Sequence, residues 1–202
     1  KILEVKMDYS FLDFQTVSAI VFVILMSIFL FIKRKELKLE KMIYPFLYII
    51  MYRTKIGLNA MDKIADKFKR SVKWLGYLGI VIGFIGMALI VYMLVQNLVH
   101  LLKVPTAKPS VGLVLPFKVK GAFFVPFFYW IICIFIIAAV HEFSHGVVAR
   151  RYAIKIKSSG LAFLAILAPV IPAAFVEPNE RQLKKKSCKE QLSVFAAGPF
   201  SN

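Results

Sequence analysis

Residues 121–151 have the sequence GAFFVPFFYWIICIFIIAAVHEFSHGVVARR, a long apolar run that ends in a cluster of ionisable residues. No charged residue occurs from Gly121 to Val140, and the pentapeptide His141-Glu142-Phe143-Ser144-His145 follows at once. An apolar run of about 20 residues is long enough to cross the hydrocarbon core of a bilayer. Ionisable groups are costly at membrane depth, so those at the end of this run indicate a functional site.

The spacing of the three ionisable residues predicts a metal site. On a helix His141 and His145 lie on the same face, where both imidazoles can reach one zinc ion. Glu142 then stands beside the metal as the candidate general base for a water molecule. The competing interpretation is a pair of buried, hydrogen-bonded histidines, but it leaves the desolvated carboxylate without a partner. We therefore predict His141 and His145 as zinc ligands and Glu142 as the catalytic residue.

The composition excludes an ordinary soluble domain. Hydrophobic residues make up 59% of the 202 positions, and the mean hydropathy is +0.73. The net charge of +16 alone would fit a nucleic-acid-binding protein. However, the lysines and arginines lie at the ends of apolar segments, as they do in the cytoplasmic flanks of membrane spans. The expected partner is therefore a lipid bilayer and not nucleic acid. Cys133 and Cys188 form neither a disulfide framework nor a metal knuckle.

Apolar segments predict an all-α multi-pass membrane protein with three to four transmembrane helices. The three clear spans run from about Phe11 to Ile32, from Trp74 to about Leu102, and from Phe123 or Pro126 to about Ala149. A fourth apolar segment, residues 161–176, contains two prolines and makes a poor spanning helix. We expect it to be a short re-entrant, possibly β, membrane-associated segment, because irregular backbone at membrane depth must be buried in protein or line a cavity.

These spans divide the chain into three predicted parts. Residues 1–32 hold an N-terminal segment with the first transmembrane helix, 33–73 form a basic cytoplasmic or interfacial segment, and 74–202 form the membrane core. The core contains the second span 74–102, an external loop 103–122, the zinc-motif helix 123–149, the re-entrant segment 161–176 and the start of a further helix at 192–202.

The distribution of positive charge predicts the orientation. Twelve lysines and arginines occur in 33–73, four in 103–122 and nine after residue 149. The positive-inside rule then places the N-terminus outside and both 33–73 and 150–191 in the cytoplasm. His141 precedes Arg150 by nine residues, so at 1.5 Å per residue the metal would lie about 14 Å below the cytoplasmic surface.

Two further patterns are expected to serve packing and membrane anchoring. Small residues recur at three- and four-residue spacing in the second span, where they allow another helix to approach: Gly76, Gly79, Gly83 and Gly86. Residues 44–70 mix apolar and basic positions in a way that suits a helix at the cytoplasmic interface. His100 lies at the outer end of the second span, across the membrane from the motif, and is expected to be interfacial and not a metal ligand.

Three motifs in order resemble the site-2 proteases, a family of intramembrane zinc metalloproteases. They are His-Glu-Phe-Ser-His-Gly at 141–146, Ala-Ala-Phe-Val-Glu-Pro at 173–178, and Phe-Ala-Ala-Gly-Pro-Phe-Ser-Asn at 195–202. The last is similar to the family's Gly-x-x-x-Asn signature. The amino-acid sequence of these motifs is most similar to that of archaeal members, and the strong part of the resemblance covers roughly residues 121–202.

The resemblance implies a zinc endopeptidase that cleaves peptide bonds within or near transmembrane segments of membrane-protein substrates. Together with the charge distribution, this predicts an active site toward the cytoplasmic side of the cell membrane. The resemblance also implies that an extended substrate could add to a strand in 161–176. The family's third zinc ligand is an aspartate from a later helix, whereas Asp8, Asp13, Asp62 and Asp66 all precede the motif here. We therefore expect an N-terminal fragment that is inactive alone, its third ligand an aspartate beyond Asn202.

Two alternatives remain open at this stage. One is another membrane-embedded zinc metalloprotease, of the prenyl-protein or quality-control type, which completes its metal site with a downstream glutamate. The other is a non-catalytic membrane scaffold or transporter subunit that keeps the motif for structural metal binding. Glu142 disfavours the second alternative, because a structural site needs no adjacent general base.

Overall fold

A computed structural model of the chain describes residues 9–43, 47–104, 111–116, 118–119, 122–166 and 168–202. The helices are α1 Tyr9–Ile32, α2 Leu58–Lys67, α3 Lys69–Lys103, α4 Phe127–Arg151, α5 Glu180–Lys184 and α6 Cys188–Ser201. The strands are β1 Leu37–Ile43, β2 Leu47–Thr54, β3 Val114–Leu115, β4 Phe123–Phe124, β5 Ile156–Ile166 and β6 Ala168–Pro178.

The prediction of an all-α protein is wrong. Strands β1, β2, β5 and β6 form an antiparallel sheet in the order β1-β2-β5-β6, and β3 pairs with β4 in a separate parallel sheet. The segment that we expected to be re-entrant, 161–176, belongs to the β5–β6 hairpin. Strand β2 likewise occupies 47–54, where we expected an interfacial helix, and residues 44–46 lie outside the described part of the chain.

Proline is compatible with β6 because β6 is an edge strand. Proline has no N–H to donate, so within sheets it is found at edges, where no ladder hydrogen bond is lost. Pro172 lies four residues before Val176, whose N–H points away from β5 toward Glu142. Because strands repeat every two residues, the Pro172 nitrogen faces the same unpaired edge. The proline that argued against a spanning helix is therefore accommodated in an edge strand.

The predicted number of spans also requires correction. Within the described residues two helices are long and apolar enough to cross a membrane, α3 and α4. The described apolar part of α1, Thr16–Ile32, is an apolar helical segment of at most 17 residues, shorter than the two candidate spans. The structure therefore supports two candidate spans plus a sheet, and not three to four transmembrane helices.

The end of α1 packs on the four-stranded sheet. Leu30, Ile50 and Phe163 form one buried cluster. The Phe29 ring adds to it, with its centroid 5.8 Å from that of Tyr52 and 6.1 Å from that of Phe163. The sheet is thus attached to an apolar helix through aromatic contacts.

A second core joins α2, α3, α4 and α6. Its buried members include Met61 on α2, Val72 on α3, Val148 on α4 and Val194 on α6. Gly146 allows the close contact between α2 and α4, because a Cβ atom at this position would lie 2.5 Å from Met61 Sδ. Helix α4, which carries the pentapeptide, is therefore held between α2 on one side and α6 on another.

The glycine face of α3 packs against α6 through its first two members. A Cβ atom at Gly76 would lie 3.1 Å from Ser193 Cβ, and one at Gly79 would lie 3.3 Å from Phe200 Cβ. At Gly83 and Gly86 an added Cβ would meet no described atom within 4 Å. Close approach of α3 and α6 therefore depends on the N-terminal half of the predicted face.

This difference predicts that Gly76→Leu destabilises the fold and that Gly83→Leu does not. The larger side chain at position 76 must push α6 away, and overpacking of this kind costs about 1–3 kcal/mol. Thermal unfolding of the detergent-solubilised protein should show a lower midpoint for Gly76→Leu and an unchanged midpoint for the matched Gly83→Leu variant. Equal losses in both variants would contradict the packing described here.

Candidate functional site

The predicted site residues come together near the C-terminal end of α4. The helix begins after Pro126, whose fixed φ and missing N–H suit a helix start. His141, Glu142 and His145 offer ligand atoms that all lie within 4.8 Å of one another. The two imidazole rings have centroids 4.7 Å apart and an interplanar angle of 80°. All three residues are half-buried, so the site is partly shielded from solvent.

Helix α6 positions the imidazole of His145. Its Nδ1 atom lies 2.6 Å from the carbonyl oxygen of Val194. A carbonyl oxygen only accepts, so Nδ1 donates its proton, and in the neutral ring the lone pair is then on Nε2. Such a contact fixes both the tautomer and the ring orientation of a metal-binding histidine.

Helix α6 also ends beside His141. The side-chain nitrogen Nδ2 of Asn202 lies 3.0 Å from His141 Nδ1. An amide group can present its oxygen or its NH₂ group to a partner, and the two are interchanged by a 180° rotation. With the Asn202 oxygen facing the ring, His141 Nδ1 carries the proton. The lone pair is then on Nε2, which faces Gly198 together with His145 Nε2.

Gly198 lets α6 pack close to the two Nε2 atoms. A Cβ atom at this position would lie 2.5 Å from His141 Nε2 and would also collide with His145 Nε2. Zinc–nitrogen bonds are about 2.0–2.1 Å long, so a side chain here would also lie too close to an ion bound by both atoms. The two imidazoles and the adjacent carboxylate form a donor set that fits zinc, with His141 and His145 as the ligands.

The edge strand β6 contacts the carboxylate. The backbone N–H of Val176 donates to Glu142 Oε2 at 3.0 Å. Hydrogen bonds from backbone N–H groups to an ionised carboxylate are stronger than those between neutral groups. A carboxylate has about four acceptor positions, so Glu142 keeps capacity to accept a proton from water. The strand therefore orients the candidate base and leaves it able to accept a proton.

Glu177, the acid in the second motif, forms ion pairs and a hydrogen bond of its own. Its carboxylate lies 3.3 Å from both Arg53 and Lys157, and Ser158 donates to it at 2.9 Å. Burial raises the pKa of Glu177, but the hydrogen bonds from Ser158 and Lys157 and the charge of Arg53 outweigh it, so the pKa lies below its usual value. Glu177 is thus an ionised member of an ion-pair network.

Sequence reasoning missed the residues that support the site through backbone atoms. Val194 and Val176 act through a carbonyl and an N–H, which no side-chain pattern reveals. Gly198 and Asn202 belong to the third motif, so a signal existed, but their contacts with the histidines required the structure. Within the described residues, the candidate metal group contains His141, Glu142 and His145 and does not include His100.

Comparisons with known proteins agree with this site. Residues 129–202 match the model of peptidase family M50, the family of the site-2 proteases, which are membrane-associated zinc metalloproteases. An uncharacterized protein of Methanocaldococcus jannaschii is 33% identical over 154 residues, which cover 74% of this chain and 39% of the relative. The chain thus spans about two fifths of that relative's length. No solved structure matches.

The predicted resemblance to site-2 proteases, and to archaeal members in particular, is confirmed by these matches. The family match also favours a site-2 protease over a membrane metalloprotease of the prenyl-protein or quality-control type. The matched residues include the whole pentapeptide and all of α6. They therefore contain the histidines, the carboxylate and the glycine that faces them.

The clearance at Gly198 predicts that Gly198→Ala weakens zinc binding in the full-length protein. The added methyl group would occupy the space in front of both Nε2 atoms, and we expect zinc affinity to fall at least about tenfold, as for other disturbances around metal ligands. Zinc content should be measured by mass spectrometry after dialysis against a competing chelator.

Gly86→Ala is the matched control, because its added Cβ meets no described atom within 4 Å. This control should retain zinc, and circular dichroism should show native helix content in both variants. A folded Gly198→Ala protein with full zinc occupancy would show that the ion binds elsewhere.

Proposed function

We propose that this chain provides part of the active site of an intramembrane zinc metalloprotease, which hydrolyses peptide bonds within or near transmembrane segments of membrane-protein substrates. The observation that carries the proposal is the grouping of the two imidazoles and the Glu142 carboxylate, whose ligand atoms lie within 4.8 Å of one another. Both Nε2 atoms face Gly198, where no side chain competes with an ion. The match to peptidase family M50 supports the same assignment.

His141 and His145 are the residues that would hold zinc. When bound, zinc would act as a Lewis acid and lower the pKa of its water to about 7. A catalytic zinc site usually has three protein ligands and an open position. The third ligand stays a prediction, because the candidate metal group among the described residues holds the two histidines and Glu142.

Glu142 is the proposed general base and general acid. It would accept a proton from the attacking water and deliver it to the leaving amine, a role that contributes about 10²–10⁴ in rate. The N–H of Val176 holds Oε2 in place, so the carboxylate does not need to reorient between the two transfers. Val194 and Asn202 hold the imidazoles on the other side of the site.

The free edge of β6 is the proposed binding site for the substrate backbone. A transmembrane helix hides its peptide bonds, so cleavage requires local unwinding, and the freed polar groups need new partners. The Val176 N–H at this edge is taken by Glu142, so the backbone groups of Ala174, two residues earlier and facing the same edge, are the ones that a substrate could use. A substrate strand could pair there, with backbone hydrogen bonds providing affinity.

The proposed location is a cell membrane, crossed more than once, with the active site toward the cytoplasm. Basic residues at the start of α3 and at the end of α4 lie on the same side, because Arg151 Nε donates to the carbonyl of Lys69 at 2.8 Å. Positive charge concentrated at one end of two adjacent spans is typical of their cytoplasmic ends. This arrangement supports an antiparallel pair of spans.

The proposed mechanism predicts that Glu142→Gln, in the full-length protein, retains zinc and loses nearly all cleavage. Glutamine has the same shape and can still accept from the Val176 N–H, but it cannot take a proton from water. We expect a fall in turnover of about 10²–10⁴. The measurement is cleavage of a transmembrane substrate in proteoliposomes, with zinc determined on the same preparation.

Histidine variants separate metal binding from proton transfer. His141→Ala and His145→Ala should lose zinc as well as activity, whereas His100→Ala should lose neither. Wild-type turnover by Glu142→Gln would overturn the assignment of the base. Unchanged zinc content in both motif variants would place the metal elsewhere.

The proposed orientation predicts that Ser144→Cys reacts with a small water-soluble thiol reagent from the cytoplasmic side. Ser144 lines a cavity of about 290 Å³ between α2, α3, α4 and α6. Native Cys133 lies more than two turns deeper in the apolar run and should react poorly. Cys188, in the basic segment at the start of α6, is replaced by serine to remove its background.

Labelling is measured in sealed vesicles of known orientation, with the reagent on one side at a time. The Cys133 protein without the new cysteine is the control for reaction inside the bilayer. Reaction of position 144 from the outside alone would reverse the topology and the proposed depth of cleavage.

A further inference from the structure

A second cavity lies beside Glu142, and its lining includes neither histidine of the motif. Its volume is about 270 Å³, it is partly open, and it is lined by residues of β2, the turn after it, α2, α4, β5 and β6. We call it the Glu142 cavity. The residues used below that line it are Thr54, Ala139, Glu142, Ser159, Ala174 and Val176.

The lining of the Glu142 cavity is mainly apolar. The hydroxyls of Thr54 and Ser159 are both engaged, since they donate to the carbonyl oxygens of Ser159 and Ile56 at 3.0 and 2.6 Å. Glu142 is the one charged side chain among the described residues of the lining. An anionic occupant would be desolvated beside a carboxylate, and a cationic occupant would pair with the proposed base. The chemistry of the lining therefore fits an uncharged, apolar group.

Small residues leave room for this group. Ala139 and Ala174 contribute only methyl groups to the wall, from α4 and from β6. An engineered apolar cavity of about 150 Å³ is large enough to bind benzene. A cavity of about 270 Å³ therefore has space for one side chain as large as leucine or phenylalanine.

The position of the cavity ties its occupant to the scissile bond. Ala139 precedes Glu142 by three residues, so both lie on the same face of α4. Val176, whose N–H contacts Glu142, belongs to the strand edge at which we place the substrate backbone. A substrate extended along β6 and poised beside Glu142 would direct a side chain from a residue adjacent to the cleaved bond into the cavity.

We propose that the Glu142 cavity selects substrates that carry a large apolar side chain (leucine, isoleucine, methionine or phenylalanine) next to the scissile bond. This inference rests on the proposed protease function and adds its substrate preference. The selectivity has two physical sources: charged side chains are excluded by desolvation, and small ones leave part of the cavity unfilled.

The kinetic test uses the full-length protein in proteoliposomes with synthetic transmembrane peptides that differ at the residues flanking the cleaved bond. Leucine, alanine, aspartate and lysine are compared. For the wild type we expect kcat/KM to favour leucine over alanine by at least about tenfold, within the range for differences in apolar pocket filling. Aspartate and lysine should be cleaved more slowly still.

Ala139→Leu tests the cavity directly, because it places a branched side chain in the wall. The ratio of kcat/KM for leucine over alanine should fall at least about tenfold and move toward or past unity. Ala138→Leu is the matched control: it introduces the same side chain one position earlier on α4, at a residue that does not line the cavity. Its leucine preference should equal that of the wild type.

A binding measurement tests this proposal independently of proteolytic activity. Ala139→Cys is made with Cys133→Ala and Cys188→Ser, and its reaction with a small thiol reagent is timed with uncleaved peptides present. The leucine peptide should slow the reaction several-fold more than the aspartate peptide, whether or not the preparation cleaves anything.

The outcomes distinguish the two proposals. Glu142-dependent cleavage at equal kcat/KM for all four residues would overturn the cavity's role and leave the protease assignment standing. Leucine-selective protection without Glu142-dependent cleavage would support the cavity and overturn the protease. Equal protection by both peptides would show that no side chain enters the cavity.

Discussion

The contact between α6 and the histidines of α4 is the constraint on which the site depends. Gly198 faces both Nε2 atoms so closely that a single added methyl group would collide with both of them. Along the same helix, the Val194 carbonyl fixes the His145 ring. Gly76 on α3 allows α6 to lie close enough for this contact by making room for Ser193. The packing of small residues in a candidate membrane span therefore determines the geometry of the imidazoles.

The sheet provides the other half of the site. Strand β6 holds Glu142 through the Val176 N–H, and the same unpaired edge is where a substrate strand could bind. Strand β6 would then position both the base and the substrate backbone, so small movements of the sheet would shift both together. The aromatic contacts of Phe29 with Tyr52 and Phe163 attach that sheet to α1. Helix α1 therefore supports the sheet that contains β6, the strand that holds the base.

The sequence was sufficient to predict which site residues come together and insufficient for the sheet. The grouping of His141, Glu142 and His145 could be predicted because a helical repeat brings residues four apart to one face, whatever surrounds the helix. Strand β2 could not be predicted, and 161–176 was expected only as a possibly β segment, because a continuous apolar run cannot be distinguished from buried helix by periodicity. The prolines in 161–176 correctly excluded a spanning helix, yet they did not reveal an edge strand. Val176 and Val194 contribute backbone atoms, which leave no trace in a side-chain pattern.

The surroundings of the Glu142 cavity determine which force can give it selectivity. A substrate side chain that leaves lipid for an apolar cavity gains little from the hydrophobic effect, because lipid is already apolar. Discrimination by size must therefore come from packing, which depends on shape and is lost when a gap of a fraction of an ångström opens. Discrimination against charge comes from desolvation and acts even in a loosely fitting cavity. The methyl-sized walls at Ala139 and Ala174 would thus control which apolar residue is preferred, whereas exclusion of charged residues would follow from the apolar lining and Glu142 together.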